Sequence, residues 1–301
     1  MEESENSGIS EPLRIKLDAI ASDNRSGSRS ITERAARLLM DAEGLGASGD
    51  KIMWISRQLL GAHGSMASLV NLIDRAFKAL EKGGSLTQDL MEYLGDLKRS
   101  DEKAISYGGS LLGNSRLVIA YSNSSMVIET ILNSDNRSLK VLISEGRPAC
   151  EGITAAEHLG SGGIPVTLTT DAALFQKVPE ADLILVGADS VSGRGIVNKI
   201  GTRGLAAEAK LCGTPIYPIC TLDKVLPWSL HPFSQMEHSP LELYNGRSDL
   251  EVHNPYFDLT PLDRFSGFIA EKGILTEEEL LGQIREMELH HGPIKLLNKK
   301  K

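Results

Sequence analysis

Val186-Gly187-Ala188-Asp189-Ser190-Val191-Ser192-Gly193-Arg194-Gly195-Ile196-Val197-Asn198-Lys199-Ile200-Gly201-Thr202 decides how this chain is read. The apolar run Leu183-Ile184-Leu185-Val186 reads as a buried strand and delivers one acid, Asp189. Gly193 and Gly195 let the backbone turn, and Asn198 and Lys199 follow at the expected start of a helix. Open α/β sheets collect ligands at the carboxyl ends of their strands. An acid facing an amide and an ammonium there suits a phosphorylated, hydroxyl-rich ligand.

Four further short apolar runs alternate with helical stretches: Leu117–Tyr121, Val141–Ser144, Ile164–Leu168 and Pro215–Ile219. Such alternation predicts right-handed crossovers and a doubly wound parallel sheet. Upstream the period is helical. Leu69, Leu72, Ile73, Ala76, Phe77 and Leu80 form one stripe stopped by Gly83-Gly84, and Ser85–Gln88 has the capping-box pattern. Thr276–Glu279 caps a last helix carrying Leu280, Leu281 and Ile284. The fold class expected is α/β. A disordered tail (1–10) precedes a helical N-terminal domain (11–112) and a Rossmann-like α/β domain (113–301).

The bulk composition excludes several classes. The net charge is −8, and only Lys299–Lys301 forms a basic run, so no direct nucleic-acid binding is expected. No apolar run approaches the roughly 18 residues of a membrane span, and the acidic start is unlike a signal peptide. Three cysteines without paired spacing fit a reduced, cytoplasmic compartment and give no metal signature. No cofactor is expected. Gly193-Arg194-Gly195 is half a dinucleotide fingerprint, with Asn198 where a third glycine would stand.

Each strand end carries polar groups. Tyr121-Ser122-Asn123-Ser124-Ser125 enters a helix, whose first N–H groups either hold an anion or are simply capped by Ser124 or Ser125. Glu145-Gly146-Arg147-Pro148 offers a guanidinium suited to phosphate or to a surface pair with Glu145. Asp171 reads as a helix cap. In the N-terminal half, Asn24-Arg25-Ser26-Gly27-Ser28-Arg29 reads either as a phosphate clamp or as a hinge loop, and His63-Gly64-Ser65 invites the same two readings.

Together these motifs resemble one family: the alpha, beta and delta subunits of translation initiation factor 2B and the related ribose-1,5-bisphosphate and methylthioribose-1-phosphate isomerases. The resemblance runs from about Ile20 to Gln283. It is carried by Glu145-Gly146-Arg147-Pro148 with Gly152, by Gly163–Thr167 with Asp171, by Gly187–Thr202, and by Asn254-Pro255 with Phe257–Pro261. It implies dimerisation or a higher homo-oligomer and a cleft between the two domains. In the isomerases a Cys and an Asp move a proton between C1 and C2 of an opened sugar phosphate. By that resemblance Asp189 is the catalytic acid. Arg25, Ser26, Gly27, His63, Asn123, Ser124, Ser125, Arg147, Asn198 and Lys199 surround the substrate.

Two departures set the functional expectation. Asn123 stands where the isomerases carry their Cys, and an amide cannot act as thiolate or base. His63 stands where they carry an Arg. Cys150 lies elsewhere and reads as a small buried apolar residue. The expected function is binding of a phosphorylated sugar or nucleotide with lost or weak isomerase activity. The alternative is an active aldose–ketose isomerase on a pentose phosphate that uses Asp189. Contact with initiation factor 2 is implied by analogy alone.

Overall fold

Five helices come first: α1 (Glu11–Ala21), α2 (Ser28–Gly44), α3 (Gly49–His63), α4 (Ala67–Lys82) and α5 (Leu86–Leu111). The structure is a computed structural model, and it describes residues 9–23, 26–228, 230, 238–246 and 250–289. Residues 1–8 of the expected tail, Arg25 and Lys299–Lys301 lie outside them. The expected stripe of α4 packs Leu69, Leu72, Ile73, Ala76 and Phe77 against Ile31, Leu38 and Leu39 of α2 and Ile55 and Leu59 of α3. Each such side chain contributes about 1.5–3 kcal/mol on burial. The α4 helix stops at Gly83, whose φ of 67° is left-handed and suits glycine. Ser85 caps α5 by accepting from the Gln88 N–H at 3.3 Å.

The α5 helix has 26 residues and is therefore about 39 Å long. Its N-terminal Leu86 and Leu90 belong to the helical core, while Ala104 near its other end belongs to the core over the sheet.

Beyond α5 come β1 (Leu117–Tyr121), α6 (Ser125–Leu132), β2 (Lys140–Ser144), α7 (Glu151–Ser161), β3 (Val166–Thr169), α8 (Asp171–Leu174), β4 (Leu183–Val186), β5 (Ser190–Ser192), β6 (Gly195–Lys199), α9 (Thr202–Cys212) and β7 (Ile216–Pro218). The chain continues through β8 (Phe257–Thr260), β9 (Phe268–Ala270), β10 (Gly273–Leu275) and α10 (Glu277–Glu286). The main sheet is parallel in the order β3-β2-β1-β4-β7. Successive side chains point to opposite faces, so Val118, Ala120, Val141 and Leu185 pack under α6 and α7, while Ile119, Tyr121, Ile184 and Val186 pack against α9. Both faces are covered, which is why these strands read as unbroken apolar runs. Chain order reverses between β1 and β4, and a crevice opens at that switch point.

Three expectations are corrected. Asn198 and Lys199 end a strand and do not begin a helix. The β6 strand lies between β5 and β8 in a small antiparallel sheet, with Asn198 opposite Asp258 and Lys199 opposite Phe257. The helix begins only at Thr202, after Gly201 at φ 100°. The third strand starts at Val166 and not Ile164: it is the sheet's edge, and Pro165 has no N–H to pair. Asp171 is not the cap of α8. Thr170 is, accepting from Ala173 at 3.4 Å, while the Asp171 carboxylate accepts from the Gly146 and Arg147 N–H groups at 3.0 and 2.8 Å. At the end of the chain Thr276 and Glu279 form the full reciprocal box at the start of α10. Among the described residues no helix is long and apolar enough to cross a membrane.

Candidate functional site

Two adjacent strand ends build the floor of the site. After β1 the chain turns at Ser122 (φ 66°), and Asn123 and Ser124 lead into α6, with Ser124 at its N-cap. After β4 it passes through Gly187 and Ala188 to Asp189. Gly187 lets the two ends approach, since a Cβ there would stand 2.8 Å from the side chain of Ser124. The β5–β6 hairpin then returns Asn198 and Lys199 to the same place. From the helical half come the start of α2 and the α3–α4 turn. The Asp189 carbonyl accepts from the Ala67 N–H at 2.9 Å, pinning α4 to the strand end.

These elements enclose a cavity of about 110 Å³, space for a small hydroxylated ligand and more than one water. Its wall includes Ser26, Gly27, His63, Asn123, Ser124, Ser125, Asp189, Asn198 and Lys199, the sequence-derived set without Arg25 and Arg147. Arg25 lies outside the described residues. Arg147 is exposed and not part of the wall, and its backbone N–H donates to the Asp171 carboxylate at 2.8 Å. Cys150 is half-buried at φ 55° before α7 and also lies off the wall, so it is not the fully buried apolar residue expected.

The electrostatics are specific. Burial pushes the Asp189 carboxyl above the usual carboxylate range. Lys224, a hydrogen bond from Ser28 and Lys199 pull it down, and Glu151 pushes it up. Lys199, 6% exposed, donates to Glu151 Oε1 and Oε2 at 2.8 and 2.9 Å, and its Nζ stands 5.2 Å from the centre of the Tyr256 ring. Ser122 Oγ donates to the same Glu151 at 2.8 Å. Asn198 Nδ2 donates to Thr202 Oγ1 at 3.0 Å, which fixes its amide. His63 Nε2 donates to the Ile20 carbonyl at 2.8 Å, and burial lowers its pKa, so the ring faces the cavity neutral. It therefore supplies no cation in place of an Arg. Ser26 N and Oγ donate to Asp23 at 2.9 and 2.8 Å, and Asp23 is paired with Arg34.

Several wall residues lie outside the sequence-derived set, among them Glu151, Lys224, His238 and Tyr256, and Arg29 entered it only as the end of the Asn24–Arg29 stretch. Glu151 opens α7, Arg29 follows the Ser26–Ser28 loop, and Lys224 follows β7. Arg29 spans the two halves, reaching Asp101 of α5 at 2.6 Å and Asp223 at 3.5 Å. Lys224 is 4% exposed, its backbone N–H donates to the Thr221 carbonyl at 2.9 Å, and its ammonium acts on the Asp189 carboxyl. A signal for it existed. The fifth strand end, Cys220-Thr221-Leu222-Asp223-Lys224, obeys the same carboxyl-end rule as the other four.

An acid, an amide and two ammonium groups thus converge on a crevice at the switch point of a parallel sheet. Residues 26–277 match the Initiation factor 2 subunit family. The chain belongs to that family. Among members, a translation initiation factor eIF-2B subunit 2-like protein of Pyrococcus horikoshii is 30% identical over 230 residues, 75% of this chain and 81% of the relative. A ribose 1,5-bisphosphate isomerase of Archaeoglobus fulgidus is 26% identical over 246 residues, 76% of this chain and 77% of the relative. The crystal structure of translation initiation factor eIF-2B from Pyrococcus horikoshii superposes with a TM-score of 0.80 at 26% identity, over 91% of this chain and all of the other. The chain is thus similar both to initiation-factor subunits and to sugar-phosphate isomerases.

Proposed function

We infer that this family member binds a phosphorylated sugar or nucleotide in the switch-point cavity, that it turns such a ligand over slowly or not at all, and that it serves as a regulatory or assembly subunit. The observation that supports this reading is the pairing of a charged wall with an inert one. Asp189, Asn198, Lys199 and Lys224 offer a carboxyl, an amide and two ammonium groups, whereas the β1 end offers the amide of Asn123. The ammonium of Lys224 and the first N–H groups of α6 suit a phosphate. Asp189 and Glu151 suit hydroxyl groups. Proton transfer between neighbouring carbons needs a titratable group opposite the acid, and such a group typically contributes about 10²–10⁴-fold.

Calorimetry with ribose 5-phosphate and AMP tests the binding half of this proposal: heat that is lost in Lys224→Ala supports it, and silence in the unaltered protein sinks it. Incubation with ribose 1,5-bisphosphate tests the other half, because ketose formation at an ordinary enzymatic rate is incompatible with it. The second reading, a working isomerase, is favoured by one observation. Burial raises the Asp189 pKa, so the carboxyl holds a proton more readily than an exposed one and suits a general acid.

A further inference from the structure

We propose that Glu151 sets the charge class of the ligand, so that the cavity accepts one phosphate group and rejects a second. This rests on the reading of the cavity as a phosphate-binding site and goes on to name what it selects.

Among the described wall residues three are cationic, Arg29, Lys199 and Lys224, and three are anionic, Asp23, Glu151 and Asp189. Most of the positive charge is already committed. Arg29 is held through Nη2 by Asp101 at 2.6 Å and by Asp223 at 3.5 Å, while its buried Nε and Nη1 make no hydrogen bond among the described residues. Lys199 is held by both oxygens of Glu151, at 2.8 and 2.9 Å, in a pair whose side chains are 6% and 11% exposed. That leaves Lys224, whose ammonium forms no ion pair with the described residues and acts on the Asp189 carboxyl from farther away. One phosphate matches it. A second phosphate that approached Lys199 would meet the Glu151 carboxylate at close range and with little water to screen the repulsion.

Glu151 is also fixed in place. It is the first residue of α7, and Ser122 donates to its Oε1 at 2.8 Å, so the carboxylate cannot swing away without losing two partners. An ionised carboxylate accepts hydrogen bonds and donates none. It therefore takes a sugar hydroxyl and repels a phosphate. A phosphate and a hydroxyl at opposite ends of one ligand describe a sugar or nucleoside monophosphate.

The test is calorimetry with ribose 5-phosphate and ribose 1,5-bisphosphate on the full chain and on two variants. In the unaltered protein ribose 5-phosphate binds at least about tenfold more tightly than the bisphosphate. Glu151→Gln keeps the shape, removes the charge and frees Lys199, so the ratio of the two affinities shifts toward the bisphosphate by about tenfold or more. Glu151→Asp keeps the charge and the preference for one phosphate. Thermal unfolding of both variants checks that each is folded. Two phosphates bound as well as one by the unaltered protein, or a ratio that Glu151→Gln leaves unchanged, overturns the charge-class proposal alone. Failure of every protein to bind either compound overturns the phosphate-site reading and this proposal with it.

Discussion

Replacing Arg29 by Met tests whether the two halves are held together electrostatically around the cavity. The guanidinium is 12% exposed and lies between Asp101 (17%) and Asp223 (8%). Asp223 in turn accepts from Ser68 Oγ at 2.6 Å and from Thr221, and its backbone carbonyl accepts from Asn71. Met fills most of the volume but leaves two enclosed carboxylates without their cation. Removing one partner of a buried pair costs about 3–5 kcal/mol, and these exposures place the site in that regime rather than with surface pairs worth about 1 kcal/mol or less.

The loss depends on pH in a defined sense. Burial raises the Asp101 pKa, Arg29 lowers it and Asp223 raises it, with a net rise. A carboxyl raised on folding contributes stability that is fully present below its unfolded pKa and is lost as pH rises through the folded value. Without Arg29 the folded pKa climbs further. The deficit of the variant is therefore largest at neutral pH and narrows toward pH 4. Urea unfolding at about pH 7.5 and pH 5 measures it. A deficit under about 1 kcal/mol at pH 7.5, or one that is the same at both values, refutes the reasoning. Adding Asp101→Asn and Asp223→Asn to Arg29→Met should recover much of the loss.

Three other outcomes follow from the geometry. Asn123→Cys places a thiol on the wall with Asp189 and should raise ketose formation from a pentose phosphate by about 10²-fold or more; an unchanged rate in a folded protein would separate position 123 from the chemistry. Gly201→Ala sets a Cβ 2.2 Å from the Tyr121 hydroxyl at a φ of 100° and disturbs that hydroxyl's 2.8 Å bond to the Ile200 carbonyl, so chemical denaturation should show a loss of about 2–3 kcal/mol. Thiol titration of the native protein should modify exposed Cys212 first and leave Cys220 unmodified, because Cys220 is buried and its pKa is pushed up to about 12.

Much of the fold was legible because its signals are local. Five apolar runs gave the parallel strands, and Gly83, Ser85 and Thr276 marked helix ends by their own chemistry. The β5–β6 hairpin was not legible. Gly195-Ile196-Val197-Asn198-Lys199 is buried throughout, so it shows no polar alternation, and its partner β8 lies some sixty residues downstream. The site divides in the same way. Asp189 and Ser124 were found because they follow strands, and Asn198 because it belongs to the motif that continues from Asp189. Glu151 is an ordinary helix residue in sequence and Arg29 one of two arginines in a basic loop, and only the tertiary fold brings Glu151 to Lys199 and Arg29 to Asp101. Arg147 follows a strand too, yet it is exposed and off the wall, and its N–H bonds the Asp171 carboxylate, a contact between distant segments that spacing alone does not reveal.

The unbroken α5 helix has a consequence for traffic in and out of the cavity. Its two ends are embedded in different cores, so swinging the lobes apart would mean bending a continuous rod or stripping one end from its packing. Exchange of a solute with the cavity is therefore expected to proceed without a hinge motion of the two lobes.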